Sequence, residues 1–301
     1  MASFGLKVIR GLFGAAEHVA PALAGRVAFN LFCRTPGRRS LTAGERRAIV
    51  QAEAFMQEAR HHRLRTRSGC VMVHEFRPAR KAIGTVLVIH GWRSRTEYMR
   101  SLIEGFRSAG FRVMSLDLPG HGHSSGRRLN MVTAVDAAHT AGEWFGPFAA
   151  VVGHSFGGAV AVNAAVGSVP SIAPLATERL VLIASPNSMS DLFEGFGRFV
   201  NLGRRTYSAM AGQVHRLSGR VLTEFTGSRQ LADVPIPALV IHATDDREVP
   251  ADNARVLASA GDHVRLYWAD GLGHRRILSD PAVVELSMGF VTERREHALV
   301  H

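Results

Sequence analysis

Cysteine and long apolar runs are scarce in this sequence. Its 301 residues include only Cys33 and Cys70, which lie far apart and near no C-x-x-C pair, so the pattern indicates neither a disulfide framework nor a zinc site. No stretch approaches the roughly 20 consecutive apolar residues that a membrane-spanning helix needs. We therefore expect a cytoplasmic protein without a spanning helix.

Signatures of nucleotide cofactors and of repeat architectures are also absent. No G-x-G-x-x-G follows an apolar, strand-like run and no Walker pattern occurs, so we predict that the protein uses no cofactor. No solenoid-like repeat or low-complexity tract is present. At this length the chain is expected to fold around one large core.

The chain is strongly basic but almost without lysine. Lys7 and Lys81 are the only lysines among 36 basic residues, and the formal net charge at pH 7 is +11. The arginines are scattered through the sequence, whereas a nucleic-acid-binding surface concentrates them along one element. We therefore expect no nucleic-acid partner.

The first residues predict an amphipathic helix. At about 100° per residue, the apolar residues of this segment share one broad face and the charged ones share the other. The apolar face holds Phe4, Val8, Ile9, Leu12 and Phe13, and the polar face holds Lys7, Arg10, Glu17 and His18. Glu17 and His18 interrupt the apolar run, so this is not an export signal. Such a helix can contact a membrane peripherally or pack on the core, and the sequence leaves both open.

Local patterns next predict a second helix and a hairpin. Thr42-Ala43-Gly44-Glu45 has the form of a capping box, and apolar residues then recur at helical spacing as far as Ala59. Alternating residues on either side of the Ser68-Gly69 turn indicate two antiparallel strands. We expect both elements to pack on the core.

Five short apolar runs without alternation follow, each about one strand long. They span residues 85–90, 112–117, 148–153, 180–184 and 238–242. Strands that are apolar on both faces belong in a covered parallel sheet, and the helical segments between them indicate a doubly wound α/β fold. The interval from Ala184 to Ala238 is too long for a simple connection, and we interpret it as a helical cap.

These observations divide the chain into four segments. We expect residues 1–62 to form an N-terminal helical extension, residues 63–185 and 234–301 to form the α/β core, and residues 186–233 to form the helical cap insertion. The sequence does not determine the oligomeric state.

A candidate nucleophile lies between an apolar strand and a helix of small residues. Gly153-His154-Ser155-Phe156-Gly157 has the pattern G-x-S-x-G. A sharp strand-to-helix turn makes the serine hydroxyl project above the sheet, and the flanking glycines avoid collisions with neighbouring backbone. The strand and helix flanks make a chance match less probable than for the bare pattern.

At these residues the chain resembles the α/β-hydrolase family, in particular its cap-bearing esterase and lysophospholipase-like branch. His90-Gly91-Trp92 is similar to the family's oxyanion loop, and residues 117–124 are similar to its D-x-P-G-H-G-x-S turn. The resemblance covers the chain from about Leu64 onward. It implies an eight-stranded, mostly parallel sheet with the active site at the carboxyl ends of the strands.

A serine needs a base to deprotonate it and an acid to orient the base. His274, in a glycine-rich loop near the C-terminus, is our candidate base, because the family's histidine falls there. Asp246 is our candidate acid, because residues 246–250 resemble the family's D-x-x-V-P signature. Asp245 and Asp270 remain alternatives.

The remaining predicted site residues stabilise charge or contact the substrate. The backbone N–H groups of Trp92 and Phe156 are expected to form the oxyanion hole. Apolar residues of the cap, with one residue of the oxyanion loop and one beside the nucleophile, are expected to bind the substrate. The predicted substrate-binding residues are Trp92, His154, Phe193, Phe196 and Phe199. His121 and His123 form an H-x-H pair, but no partner ligands accompany them, so we predict no metal.

The function expected from this set is hydrolysis of a small-molecule carboxylic ester through an acyl-enzyme. An apolar cap favours short to medium acyl chains, including lysophospholipid-like or monoacylglycerol-like esters. Thioester hydrolysis and acyl transfer use the same residues and remain open, and a non-catalytic ligand-binding role is a further alternative.

Overall fold

An eight-stranded sheet forms the centre of the protein. The computed structural model describes residues 4–36 and 41–293. The strands are β1 (Arg60–Thr66), β2 (Gly69–Phe76), β3 (Thr85–Ile89), β4 (Arg112–Asp117), β5 (Ala150–His154), β6 (Leu180–Ile183), β7 (Ala238–His242) and β8 (Val264–Trp268). Their order in the sheet is β1-β2-β4-β3-β5-β6-β7-β8.

The sheet is antiparallel at one edge and parallel elsewhere. β1 and β2 form the predicted hairpin, with Thr66 opposite Gly69 across the turn, and β2 also pairs antiparallel with β4. All pairs from β4 through β3 to β8 are parallel. The predicted α/β-hydrolase fold, with its mostly parallel sheet, is confirmed.

Helices cover both faces of the sheet. They are α1 (Phe4–Val19), α2 (Pro21–Phe32), α3 (Ala43–Gln51), α4 (Glu53–Gln57), α5 (Arg100–Ser108), α6 (Met131–Phe145), α7 (Phe156–Ala165), α8 (Met189–Val200), α9 (Arg204–Ser218), α10 (Gly227–Asp233), α11 (Asp252–Ala258), α12 (Gly273–Arg276) and α13 (Pro281–Thr292). Short 3-10 helices span Thr96–Met99 and Leu222–Glu224.

Alternate residues of the central strands contribute their side chains to two separate apolar cores, one on each face of the sheet. On β3, Leu87 and Ile89 join the core that includes α6 and α7, whereas Val86 and Val88 join the one that includes α5 and α13. Successive side chains of a strand point to opposite faces, so a strand covered on both sides is apolar throughout. The continuous apolar runs in the sequence have this origin.

The N-terminal segment contains four helices where the sequence analysis predicts two. α3 begins with the predicted capping box, in which Thr42 and Glu45 exchange hydrogen bonds, but the helix breaks at Ala52 and resumes as α4. α2 was not predicted. Its first turn has no side-chain cap, because Ala20 stands at the capping position, and the only local start signal is Pro21 at the first helical position.

α1 and α2 pack on the cap rather than forming a separate layer. α2 lies along α9, and α1 contacts α8 and α9. The carboxylate of Glu17 accepts the backbone N–H groups of Arg205 and Thr206, at 2.8 and 2.9 Å, at the first turn of α9. The unpaired N–H groups at a helix start favour a carboxylate there.

The four predicted segments differ in detail from the elements. β1 begins at Arg60, inside the segment assigned to the extension, and α10 packs on α7 and α11 of the core rather than roofing the sheet. The segment boundaries therefore stay predictions, and residues 1–3, 37–40 and 294–301 lie outside the described part. Among the described helices, none combines the length and the apolar character that a bilayer crossing requires.

Candidate active site

Ser155 occupies a strained turn between β5 and α7. Its backbone has φ 53° and ψ −126°, in a region that non-glycine residues rarely adopt. Two glycines allow this turn: a Cβ atom on Gly157 would collide with the carbonyl oxygen of Ile89, and one on Gly153 would collide with the Gly157 carbonyl. The Ser155 N–H donates to the Ile183 carbonyl on β6 at 2.8 Å, which anchors the turn to the sheet.

His274 and Asp246 meet through a direct hydrogen bond. Nδ1 of His274 lies 2.8 Å from Oδ2 of Asp246, and both residues are buried. The other carboxylate oxygen accepts the N–H groups of Glu248 and Val249 at 2.8 and 2.9 Å. The Nδ1 bond orients the imidazole and leaves Nε2 available as a proton acceptor.

The environment of Asp246 keeps it ionised. Burial raises the pKa of this carboxyl, but the hydrogen bonds from His274 and from the backbone of Val249 and Glu248 outweigh it, so the pKa lies below its ordinary value. An ionised carboxylate at this position stabilises an imidazolium on His274.

The two alternative acids hold the surrounding loops instead. Asp245 accepts the N–H groups of Gly271 and Gly273, each at 3.1 Å. Asp270 accepts the hydroxyl of Thr244 at 2.6 Å. Of the three candidates, Asp246 is therefore the one that the structure brings to His274.

His154 lies behind the nucleophile turn and not on the substrate side. Its Nε2 lies 2.8 Å from the carbonyl oxygen of His274, to which it donates, and the two rings are 4.8 Å apart. Burial, assisted by the nearby His274, lowers the pKa of His154 to about 3. The sequence analysis grouped His154 with the substrate-binding residues. In the structure it supports the backbone of His274, because alternate residues of β5 point to opposite faces.

The predicted oxyanion loop lies close against the nucleophile turn. A Cβ atom on Gly91 would lie 2.8 Å from Cβ of Ser155, so the loop approaches to backbone contact. Neither the Trp92 nor the Phe156 N–H donates to an acceptor within the described residues. Both donors are therefore available to an oxyanion.

Two buried histidines hold this loop. His90 donates from Nδ1 to the Gly91 carbonyl at 2.7 Å and accepts the Leu118 N–H at 3.0 Å, and His121 accepts the Arg93 N–H at 3.1 Å. Burial lowers the pKa of His90, and it lowers that of His121 to about 4. Both rings can accept these hydrogen bonds because they stay neutral at neutral pH.

A largely apolar cavity of about 460 Å³ opens beside Ser155 and His274, both of which line it. Of the predicted substrate-binding residues, Trp92, Phe193 and Phe196 also line it. Phe199 does not: it is 57% exposed and lies outside the wall. Phe193, Phe196 and Phe199 are three residues apart, and three residues turn through about 300°, which is about 60° short of a full helical turn. Two such steps therefore carry Phe199 away from the face that holds Phe193.

Part of the cavity wall comes from α2, which the sequence analysis missed. Phe29 and Phe32 line the cavity, and the Phe32 ring centroid lies 4.5 Å from that of Phe193 and 5.3 Å from that of Phe196. Two signals for α2 are present in the sequence: Pro21 at the first helical position, and the helical spacing of Ala24, Ala28 and Phe29. The N-terminal extension thus contributes directly to the candidate site.

The charges at the rim are only partly compensated. Arg275 pairs with Glu248 at 2.9 Å, and Arg276 donates to backbone carbonyls of its own loop. Arg34 and Arg93 also line the cavity. The guanidinium of Arg93 forms no ion pair within the described part of the chain.

Both ring nitrogens of His121 are engaged, with the Arg93 N–H and the Pro119 carbonyl, so His121 and His123 are not paired as ligands in this geometry. Instead, potential ligand atoms of His74, Asp117 and His123 lie within 4.8 Å of one another. The Asp117 carboxylate already accepts the N–H and hydroxyl of Thr96 and the N–H of His123. These bonds fix the turn after β4, so we assign the cluster a structural role.

Comparison with known proteins finds a match between this sequence and a protein family. A sequence model of the Alpha/beta hydrolase family matches residues 86–285. The dihydrolipoyllysine-residue acetyltransferase component of the acetoin cleaving system of Cupriavidus necator is 36% identical over 143 residues, which cover 42% of this chain and 32% of that protein. The match therefore spans about a third of the relative's length.

Solved structures resemble the chain over most of its length. Carboxylesterase CesB from Bacillus subtilis has a TM-score of 0.61 and 16% identity, and the match covers 82% of this chain and 96% of that one. A membrane phospholipase A, described as a bacterial virulence factor, has a TM-score of 0.59 and 17% identity over 95% and 96% of the two chains. At these identities the likeness shows the fold.

Proposed function

We propose that this chain, which belongs to the alpha/beta hydrolase family, hydrolyses carboxylic esters through an acyl-enzyme formed on Ser155. One observation carries the proposal: Ser155 and His274 line the same apolar cavity, and the carboxylate of Asp246 lies 2.8 Å from His274 Nδ1. A nucleophile, a base and an orienting acid are the minimum set for acyl transfer through serine.

The reaction begins with proton transfer. Nε2 of His274 takes the proton of the Ser155 hydroxyl as the oxygen attacks the ester carbonyl carbon. Asp246 stabilises the resulting imidazolium and holds its ring orientation. The developing oxyanion accepts the N–H groups of Trp92 and Phe156, each worth a few kcal/mol in interactions of this kind.

The second half of the reaction releases the acyl group. The tetrahedral intermediate collapses, and His274 returns the proton to the leaving alcohol. A water molecule then gives its proton to His274 and attacks the acyl-enzyme, which yields the carboxylic acid and regenerates the serine hydroxyl.

Cavity composition supports an acyl group of short to medium length. The lining includes Phe29, Phe32, Phe193 and Phe196, and an apolar wall binds hydrocarbon with about 0.8 kcal/mol per buried methylene. The arginines Arg34 and Arg93 at the wall fit an ester whose alcohol portion carries an anionic group. Comparing a lysophospholipid with a monoacylglycerol of the same acyl chain tests this contribution.

Acyl transfer is the second candidate, because the relative from Cupriavidus necator is named an acetyltransferase. The same three residues would serve it if an alcohol or thiol replaced water as the acceptor. Product analysis with and without an added acceptor distinguishes the two, and an acyl-acceptor product that forms faster than free acid would favour the transferase. Thioesters belong in the same substrate panel.

The decisive experiment combines labelling with turnover. A fluorophosphonate probe should label Ser155, and p-nitrophenyl esters should be hydrolysed by the intact chain. Ser155→Ala should abolish both, whereas Ser259→Ala, at an exposed serine on α11's C-terminal side, should abolish neither. Ligand binding without turnover would support a non-catalytic role instead, and labelling at another serine with retained activity would refute our assignment.

A further inference from the structure

An apolar row remains exposed along α1. Phe4, Val8 and Leu12 recur every four residues and stay exposed, Phe4 to 84%. Ile9 and Phe13, which the sequence analysis placed on the same face, turn inward and pack on the apolar core. The helix therefore satisfies only part of its apolar face by packing, and the remainder faces solvent.

A second row of apolar residues lies along α2 and leads toward the cavity. Leu23 and Val27 are exposed, and Leu31, four residues further on, lines the cavity that holds Ser155. At 1.5 Å per residue, Leu23 lies roughly 12 Å along the helix from Leu31. Exposed Leu217 of α9 lines the same cavity. We call Phe4, Val8, Leu12, Leu23 and Val27 together the N-terminal apolar surface.

The charges on α1, α2 and α9 are mostly basic, although α8, which also contacts α1, carries Asp191 and Glu194. Residues 4–36 contain one acid, Glu17, and its carboxylate is engaged with the backbone of α9. The same residues include four cations. They are Lys7, Arg10, Arg26 and Arg34. α9, which packs on α2, begins with two arginines and contains no acidic residue.

We propose that the N-terminal apolar surface docks on an anionic lipid bilayer and thereby brings the mouth of the cavity to the membrane. Apolar side chains flanked by cations are the combination that interfacial helices use, with burial and lipid charge both contributing. A second copy of the chain fits less well, because a two-fold contact would oppose this cationic surface with itself.

Vesicle flotation of the full chain tests the proposal, with and without phosphatidylglycerol in phosphatidylcholine vesicles. The double variant Leu12→Gln/Leu23→Gln removes two side chains that are 65% and 61% exposed. The matched control Val50→Gln/Ile83→Gln changes two that are 67% and 66% exposed and lie elsewhere. Hydrolysis of a water-soluble ester by each variant measures folding independently of lipid binding.

The intact chain and the control should float with phosphatidylglycerol vesicles, and high salt should weaken the binding. The Leu12→Gln/Leu23→Gln variant should partition at least about tenfold less, since two leucines lose their burial in lipid, with unchanged ester hydrolysis. The proposal is overturned if the intact chain does not float, or if both double variants float equally. Sedimentation that shows a dimer abolished by Leu12→Gln/Leu23→Gln, without flotation, would assign the surface to a second copy.

Discussion

Gly25 of α2 and Ala209 of α9 lie so close that a Cβ atom on Gly25 would stand 2.6 Å from the Ala209 Cβ. This contact lets α2 reach the cap and bring Phe29 and Phe32 to the cavity. Real Cβ atoms do not approach to that distance, so any side chain at position 25 must push the two helices apart.

We predict that Gly25→Ala destabilises the protein by about 1–3 kcal/mol through overpacking. Gly11→Ala is the control, because no atom lies within 4 Å of the Cβ position at Gly11, and alanine should raise helix stability there by up to about 1 kcal/mol. Urea unfolding of both variants measures the difference. Equal midpoints for the two would show that α2 does not depend on this contact.

The hydrogen bond between Asp246 and His274 predicts a large effect on turnover. Asp246→Asn should lower kcat by about 10³-fold or more, because an uncharged amide does not stabilise the imidazolium and its NH2 group, facing Nδ1, donates to it and fixes the wrong tautomer. Asp245→Asn, which alters only the loop contacts with Gly271 and Gly273, should have a much smaller effect. Steady-state kinetics on a p-nitrophenyl ester compare them, and a larger loss in Asp245→Asn would identify the other carboxylate as the acid.

Buried His154 predicts a loss of stability in mild acid. Its pKa is about 3 in the folded protein and about 6.5 when exposed, so the unfolded chain binds the extra proton. This contribution is complete above about pH 6.5 and is lost as the pH falls toward the folded value. Between pH 7 and pH 5 it amounts to about 2 kcal/mol.

The variant His154→Gln keeps an N–H donor for the His274 carbonyl but does not titrate. Its unfolding free energy should therefore fall less between pH 7 and pH 5 than that of the unmodified protein, whatever its absolute stability. Other buried histidines make the unfolding free energy of both proteins fall with decreasing pH. The quantity to measure is therefore the difference between the two proteins in how steeply the unfolding free energy depends on pH. Identical slopes would mean that His154 does not carry this linkage.

Specificity for acyl length should depend on Phe196 but not on Phe199. With p-nitrophenyl esters, kcat/KM should rise from acetyl over several carbons, at up to about 0.8 kcal/mol per methylene that the cavity buries. Phe196→Ala should flatten this rise. Phe199→Ala removes an exposed ring outside the cavity and should leave the profile unchanged. A flat profile in the unmodified protein would show that the aromatic wall serves packing alone.

The local elements were accessible from the sequence because each has a short-range signature. Strands β3, β5 and β7 are continuous apolar runs in the sequence. The turn at Ser155 needs glycine at defined positions before and after the serine. These features depend on neighbouring residues along the chain. A single sequence carries them without reference to the rest of the fold.

Contacts between distant segments were not accessible in the same way. Asp245 and Asp246 are adjacent and chemically alike, so the family signature favoured Asp246 by resemblance alone, and the contact itself depends on how the distant His274 loop packs against them. Likewise, the three-residue spacing of Phe193, Phe196 and Phe199 does not show that the last ring leaves the cavity.

The sequence by itself determined the alternation of strands and helices in the α/β core, the nucleophile turn and the apolar character of the N-terminal helix. Only the tertiary structure decided that α2 completes the cavity wall, and that Phe4, Val8 and Leu12 stay exposed while Phe13 is buried. The physical reason is that periodicity records which face of a helix is apolar but not what covers it. What covers that face depends on long-range packing. Here α2 and α9 pack together through Gly25 and Ala209, which are more than 150 residues apart in the sequence.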